Sequence, residues 1–201
     1  MEFLRFLCKI IYKVFIRVKV FCPEKMPEEG AVIVAPNHET MLDMFMIGYR
    51  LKRYVKWISK AENFKFKPFG AILRKLGSFP VRRGEGDVGA ASQAINYLNN
   101  GEALGIFPQG TRSRGRGLSL KPKSGFLRLA LATDAYVVPV AIWGKIRLFG
   151  KAYVRFGDPV KAPELIDPGQ SKNKEALNAA AEEFMCDRVY GIMEVPDDEN
   201  N

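Results

Sequence analysis

The sequence holds a single histidine, His38, in 201 residues. Any site that needs two imidazoles is therefore excluded, which removes most zinc hydrolases. Cysteine is scarce: Cys8, Cys22 and Cys186 lie far apart and form no CxxC pair. That spacing argues against a disulfide framework and a cysteine-rich metal site, and it fits a reducing compartment. No stretch of about 18 or more residues is free of charge, so no transmembrane helix is expected. The GxSxG elbow, the GxxxxGK[ST] loop and a helical HExxH are all missing. Acids are outnumbered, 22 against 31 lysines and arginines, for a net charge of +9. Such an excess points to an anionic partner: nucleic acid, a membrane surface or a phosphorylated small molecule.

What is present is a globular composition, 47% hydrophobic and 26% charged, which excludes a disordered or collagen-like chain. At the N-terminus Arg5, Lys9, Lys13 and Arg17 recur every four positions, while Phe3, Leu4, Leu7, Ile10, Ile11, Val14, Phe15 and Val18 fill the opposite arc. This spacing predicts an amphipathic helix over 2–18. Two arrangements satisfy it: packing on the protein's own core, or lying in the headgroup plane with the basic flank on anionic lipid. Charge runs through the segment and no small-residue cleavage site follows, so it does not read as a signal peptide.

Beyond Pro23 the pattern alternates. Strands are expected at 31–35, 54–59, 78–81, 103–107, 136–142 and 152–157. Helices are expected at 40–51, 66–76, 88–98, 125–133 and 172–192, with a basic loop over 108–123. Short apolar strands alternating with helices predict an α/β fold with a central mixed, mostly parallel sheet covered by helices on both sides. Three regions follow: 1–22 as helix and lead-in, 23–193 as one α/β domain, and 194–201 as a frayed acidic tail.

His38 and Asp43 stand where the first buried strand gives way to a helix, the place where α/β sheets bind ligands. Residues five apart in a regular helix cannot meet. With Thr40 as N-cap, however, His38 folds back and Asp43 reaches its imidazole. The pair then suits general-base chemistry. The spacing Thr40-x-x-Asp43 equally suits a capping box, with Asp43 only closing the helix.

The motif Asn37-His38-Glu39-Thr40-Met41-Leu42-Asp43 resembles the NHxxxxD motif of the glycerolipid acyltransferases. Gly77-Ser78-Phe79-Pro80-Val81-Arg82-Arg83-Gly84 resembles their second motif. Phe107-Pro108-Gln109-Gly110-Thr111-Arg112-Ser113 resembles the third, and Val137-Val138-Pro139-Val140-Ala141-Ile142 the fourth. The four occur in family order over about 30–145, and the pattern is most similar to the short bacterial 1-acylglycerol-3-phosphate acyltransferases. The resemblance implies His38 as general base, Asp43 as its orienter, and Arg83 and Arg112 as grips on the phosphate of lysophosphatidic acid. Gly110 would allow close backbone approach, and Thr111 would add a hydroxyl. Gln109 departs from the family's usual glutamate: it keeps an acceptor oxygen and loses the charge, which bears on acceptor choice. Arg82 stands where relatives often carry aspartate and receives no role.

The resemblance further implies acyl transfer to the sn-2 hydroxyl from acyl-carrier protein or acyl-CoA. No metal or cofactor is expected. The partners expected are lysophosphatidic acid, the acyl donor and an anionic membrane surface, not nucleic acid. The place expected is the cytoplasmic face of the cell membrane. Residues near Val138-Pro139-Val140 would line the acyl tunnel. A sibling enzyme with another lysophospholipid acceptor, or a non-enzymatic basic membrane protein, would share parts of this pattern.

From the residues themselves, segment 52–83 carries ten basic residues against Glu62 alone, and 103–133 carries six against none. Such runs are either solvated loops or anion grips, and arginine's planar fork suits a phosphate. Gly84-x-Gly86-x-x-Gly89 matches a dinucleotide fingerprint. Glu102, though, precedes its strand instead of ending it, and Asp87 would repel a pyrophosphate, so a turn is expected there. The aromatics Tyr54, Trp57, Phe64, Phe66 and Phe69 among basic residues are expected in the core or facing a membrane rather than stacking on bases.

Overall fold

Side chains of a strand alternate between two faces, and the buried strands here supply both faces with apolar groups. In β2 (Val32–Pro36), Ile33 and Ala35 join one cluster and Val32 and Val34 the other. The computed structural model describes residues 17–75, 77–81, 88–113 and 115–194. The helix expected over 2–18 therefore lies outside the described residues except for its last two positions. Arg82, Arg83 and the tail 195–201 lie outside them as well.

The other elements are β1 (Val18–Phe21), α1 (Asp43–Gly48), β3 (Val55–Lys60), α2 (Lys67–Lys75), β4 (Phe79–Val81), α3 (Val88–Asn99), β5 (Ala103–Gly105), α4 (Gly125–Thr133), β6 (Tyr136–Gly144), β7 (Ala152–Phe156), β8 (Val160–Lys161) and α5 (Lys174–Glu183). The strands form one sheet in the order β1-β7-β6-β2-β5-β3-β4, with β8 also paired to β6. Only the β6–β7 and β6–β8 pairings are antiparallel; the rest run parallel. Parallel neighbours need crossovers, and α1, α2, α3 and α4 lie in the connections from β2 through β6.

One face of the sheet is covered by α3, α4 and α5. Ala90, Ala94 and Leu98 recur every fourth residue along α3 and present a single stripe. Phe126 and Leu127 of α4 and Leu177 and Ala181 of α5 complete that layer, all of them fully buried. On the other face Met46 and Ile47 of α1 pack with Leu51, Trp57 and the inward residues of β6 and β7. The mixed, mostly parallel, helix-covered sheet is as expected.

Several boundaries differ. Val18 begins β1, because its segment pairs in parallel with Ala152–Arg155, so it does not belong to the helix expected over 2–18. The helix expected at Thr40–Leu51 is α-helical only from Asp43 to Gly48, with Leu42 and not Thr40 as N-cap. The cause is local: the Asp43 carboxylate binds the N–H groups of Glu39 and Thr40 and holds them in a loop. The last helix is α-helical to Glu183, widens to a π-helical turn over Phe184–Val189, and ends in a 3-10 turn at Tyr190–Ile192. β8 has two residues, too few to leave a pattern.

Candidate active site

Beyond Pro36 the chain leaves the sheet, and Asn37 continues the β2–β6 ladder with its side chain. Asn37 Oδ1 accepts the Ile142 N–H at 2.7 Å, and Nδ2 donates to the Ile142 carbonyl at 2.7 Å. The same Nδ2 donates to Glu39 at 3.0 Å, and the Ser113 hydroxyl donates to the other Glu39 oxygen.

His38 comes next and is held at four points. Its N–H donates to Gln109 Oε1 at 2.8 Å. Its carbonyl accepts the Ser113 N–H at 2.6 Å. Both main-chain groups are thus tied to the loop after β5. The ring stacks on Phe107 with centroids 3.9 Å apart, and Phe107 stacks on Trp57 at 4.9 Å. Gly105 makes room for that stack, since a methyl group there would collide with the Trp57 indole. Finally, Nδ1 lies 2.8 Å from Asp43 Oδ2.

Asp43 is completely buried. A buried carboxylate is costly unless its oxygens find donors. Here they accept from Glu39 N–H at 2.7 Å, Thr40 N–H at 3.0 Å and the Thr40 hydroxyl at 2.7 Å, besides His38. The reach back to Thr40 N–H closes the loop ahead of the helix; with Leu42 as N-cap it is not the capping box that the Thr40–Asp43 spacing suggested. With the proton on Nδ1 facing the carboxylate, Nε2 carries the lone pair. Nε2 has no hydrogen-bond partner among the described residues, and the ring is 16% exposed.

His38, Met41, Lys60, Phe107, Thr111 and Arg112 line an open cleft of about 260 Å³. That is below the roughly 300–1,000 Å³ of pockets that enclose a whole small molecule. Gly110 has φ +66, a left-handed conformation that glycine adopts without cost. Its turn closes through Gly110 N–H to the Phe107 carbonyl at 2.9 Å and sends Thr111 and Arg112 to the cleft. Arg112 is half-buried and forms no ion pair among the described residues. Lys60 pairs with Glu62 at 3.0 Å.

Of the residues singled out in the sequence, the fold gathers His38, Asp43, Thr111 and Arg112. Gln109 and Gly110 do not line the cleft. Gln109 is 4% exposed, and besides holding His38 it donates from Nε2 to the Gly117 carbonyl at 3.2 Å and the Tyr190 hydroxyl at 3.0 Å. Burial raises the Tyr190 phenol above its ordinary range, outweighing the Gln109 hydrogen bond that lowers it; Tyr190 is therefore a neutral hydroxyl. Arg83 lies outside the described residues. Glu102 forms an ion pair with Lys56. Trp57 and Phe64 are core residues, whereas Phe66 is exposed.

A family model described as Acyltransferase matches residues 17–143, more than half of the chain. The chain belongs to the acyltransferase family. A 1-acyl-sn-glycerol-3-phosphate acyltransferase of Bacillus subtilis (strain 168) is 29% identical over 180 residues, covering 87% of each sequence. One of Borreliella burgdorferi is 28% identical over 138 residues, 68% of this chain and 55% of that protein, so the chain spans about half of that relative. The crystal structure of the 1-acyl-sn-glycerophosphate (LPA) acyltransferase PlsC from Thermotoga maritima superposes with a TM-score of 0.67 and 27% identity, over 90% of this chain and 73% of that one. In this acyltransferase the supports of His38 were legible only in part. Asn37, Phe107 and Ser113 sit inside the quoted motifs but carried no role of their own. Tyr190 lies beyond the family match, and nothing in its neighbourhood signals a link to Gln109.

Proposed function

We propose that this protein transfers a fatty acyl group from a thioester donor, acyl-carrier protein or acyl-CoA, to the sn-2 hydroxyl of 1-acylglycerol 3-phosphate. The product is phosphatidate. The observation that carries the reading is the His38 Nδ1–Asp43 Oδ2 contact of 2.8 Å beside a cleft walled by Arg112.

In this reading His38 Nε2 takes the hydroxyl proton as the oxygen attacks the thioester carbonyl. Asp43 keeps the proton on Nδ1 and stabilises the imidazolium that forms. Collapse of the tetrahedral adduct breaks the C–S bond, and the thiol leaves with the proton from Nε2. A thiolate is a competent leaving group, so no acyl-enzyme, metal or prosthetic group enters. Arg112 and Thr111 engage the phosphate, with Arg83 assigned there by its place in the second motif. The buried Gln109 supports His38, which leaves acceptor choice to the cleft residues. In this reading the site works at the cytoplasmic face of the membrane. No helix among the described residues is long and apolar enough to cross one.

The test is thiol release from both donors against a panel of lysophospholipids and glycerol 3-phosphate. Release that depends on lysophosphatidate and falls about 10²–10⁴-fold in His38→Ala supports the reading. Full turnover in His38→Ala, or release indifferent to the acceptor, overturns it.

A further inference from the structure

The loop between β6 and β7, Lys145 to Lys151, takes no part in the site described above. Its side chains divide by chemistry. Ile146 packs inward on the core. Leu148 and Phe149 stand 63% and 64% exposed, although residues of this type are mostly interior. Lys145, Arg147 and Lys151 are exposed around them, and between Asp134 and Asp158 the chain carries no acid.

The loop is a built structure. Lys145 N–H donates to the Lys151 carbonyl at 2.7 Å, Arg147 N–H to the Lys145 carbonyl at 2.9 Å, and Gly150 N–H to the Arg147 carbonyl at 2.8 Å. Phe149 holds φ +60, a left-handed conformation that is uncommon for a bulky residue and that tends to persist at functional positions.

Its place in the fold matters. β6 runs parallel to β2, so the loop leaves the sheet at the end that carries His38. Ile146 and Trp143 line a second cavity together with Glu39 and Thr40. Across the cleft, Phe66 is 68% exposed between Lys65 and Lys67, just past Asn63 of the cleft wall. The chain enters β1 at Arg17, whose carbonyl accepts the Ala152 N–H at 3.4 Å.

We propose that loop 145–151 is a membrane-docking element. Leu148 and Phe149 enter the acyl region of an anionic bilayer, and Lys145, Arg147 and Lys151 meet its phosphate groups. Apolar tips inside a ring of cations match a negatively charged lipid surface; a second copy of this +9 chain would set cation against cation. The chemistry proposed above supplies only the reason for a cleft to face lipid; the docking stands on the loop itself.

The test uses the full chain and vesicles of phosphatidylcholine with or without phosphatidylglycerol. Phe149→Trp, read as a difference from the unmodified protein, should shift its emission to the blue on anionic vesicles and be quenched by lipids brominated along the acyl chain. Leu148→Ser with Phe149→Asn, asparagine being tolerant of this φ, should bind those vesicles at least about tenfold more weakly. Lys145→Gln, Arg147→Gln and Lys151→Gln together should remove only the increment due to phosphatidylglycerol. All variants should keep wild-type turnover of dispersed short-chain substrates. An unshifted emission from the Phe149→Trp variant, or vesicle binding unchanged in the apolar variant, overturns the proposal. So does a fall in oligomeric state of that double variant without lipid, which would make the loop a self-association surface. Failure of the unmodified protein to turn over dispersed substrates would sink the acyl-transfer reading and leave the vesicle result standing.

Discussion

At the scale of single residues, Asp43 and Gln109 divide the task of holding His38. Asp43 acts on the ring and Gln109 on the main chain. In Asp43→Asn the amide oxygen can take the place of Oδ2 and keep the N–H groups of Glu39 and Thr40, while the new NH₂ in the place of Oδ1 meets the Thr40 hydroxyl, which can turn to accept. The loop therefore keeps these bonds and loses the charge that, in the proposed mechanism, stabilises the imidazolium. A kcat loss of about 10²–10⁴-fold is expected, with little change in melting temperature; a large fall in melting with kcat intact would assign Asp43 to the loop alone. Gln109→Glu is the converse case. A carboxylate there still accepts from His38 N–H, but its second oxygen faces the Gly117 carbonyl in a buried site. Such a mismatch costs about 1–3 kcal/mol. Chemical denaturation should show that loss, and kinetics should show lower kcat with unchanged acceptor preference. Glutamate at 109 is thus expected to fit these partners less well than the glutamine present. That conclusion was out of reach of the motif, because the partners Gly117 and Tyr190 lie outside it.

At the scale of elements, the site is made where β2, β3 and β5 end together. Trp57 of β3 and Phe107 after β5 form a stack behind His38, and Gly105 of β5 gives the indole its space. Gly105→Ala should push Trp57 aside, at about 1–3 kcal/mol for an overpacked core, and should lower kcat although residue 105 does not line the cleft. Denaturation and kinetics on one preparation would check both; an alanine variant with native stability would show that the stack yields freely. Periodicity revealed most elements because their apolar stripes are regular, as in Ala90, Ala94 and Leu98. It failed where tertiary bonds decide. The loop 37–42 is held by Asp43 against a helical pattern, and β1 forms only because β7 is there to pair with it. In the same way His38 and Asp43 were legible as a pair. The clamp by Gln109 and Ser113 was not, since it joins loops far apart in the chain.

At the scale of the molecule, the positive charge is unevenly used. Arg112 is spent on the cleft, while Lys145, Arg147 and Lys151 stand around the apolar tips of the β6–β7 loop. Composition points to an anionic partner, and the two proposals above divide that role: one partner small and held in the cleft, one extended and met by the loop. Chain topology brings both to the same end of the sheet, a relation that no local pattern encodes. The lone histidine, meanwhile, has a practical meaning. Its ring lies 3.9 Å from the face of Phe107, and no other imidazole exists in the chain. A magnetic-resonance spectrum of the intact protein therefore contains one set of imidazole lines, displaced by the ring current of its neighbour. The protonation of this imidazole can be followed as pH or lysophosphatidate is varied without assigning a single other signal.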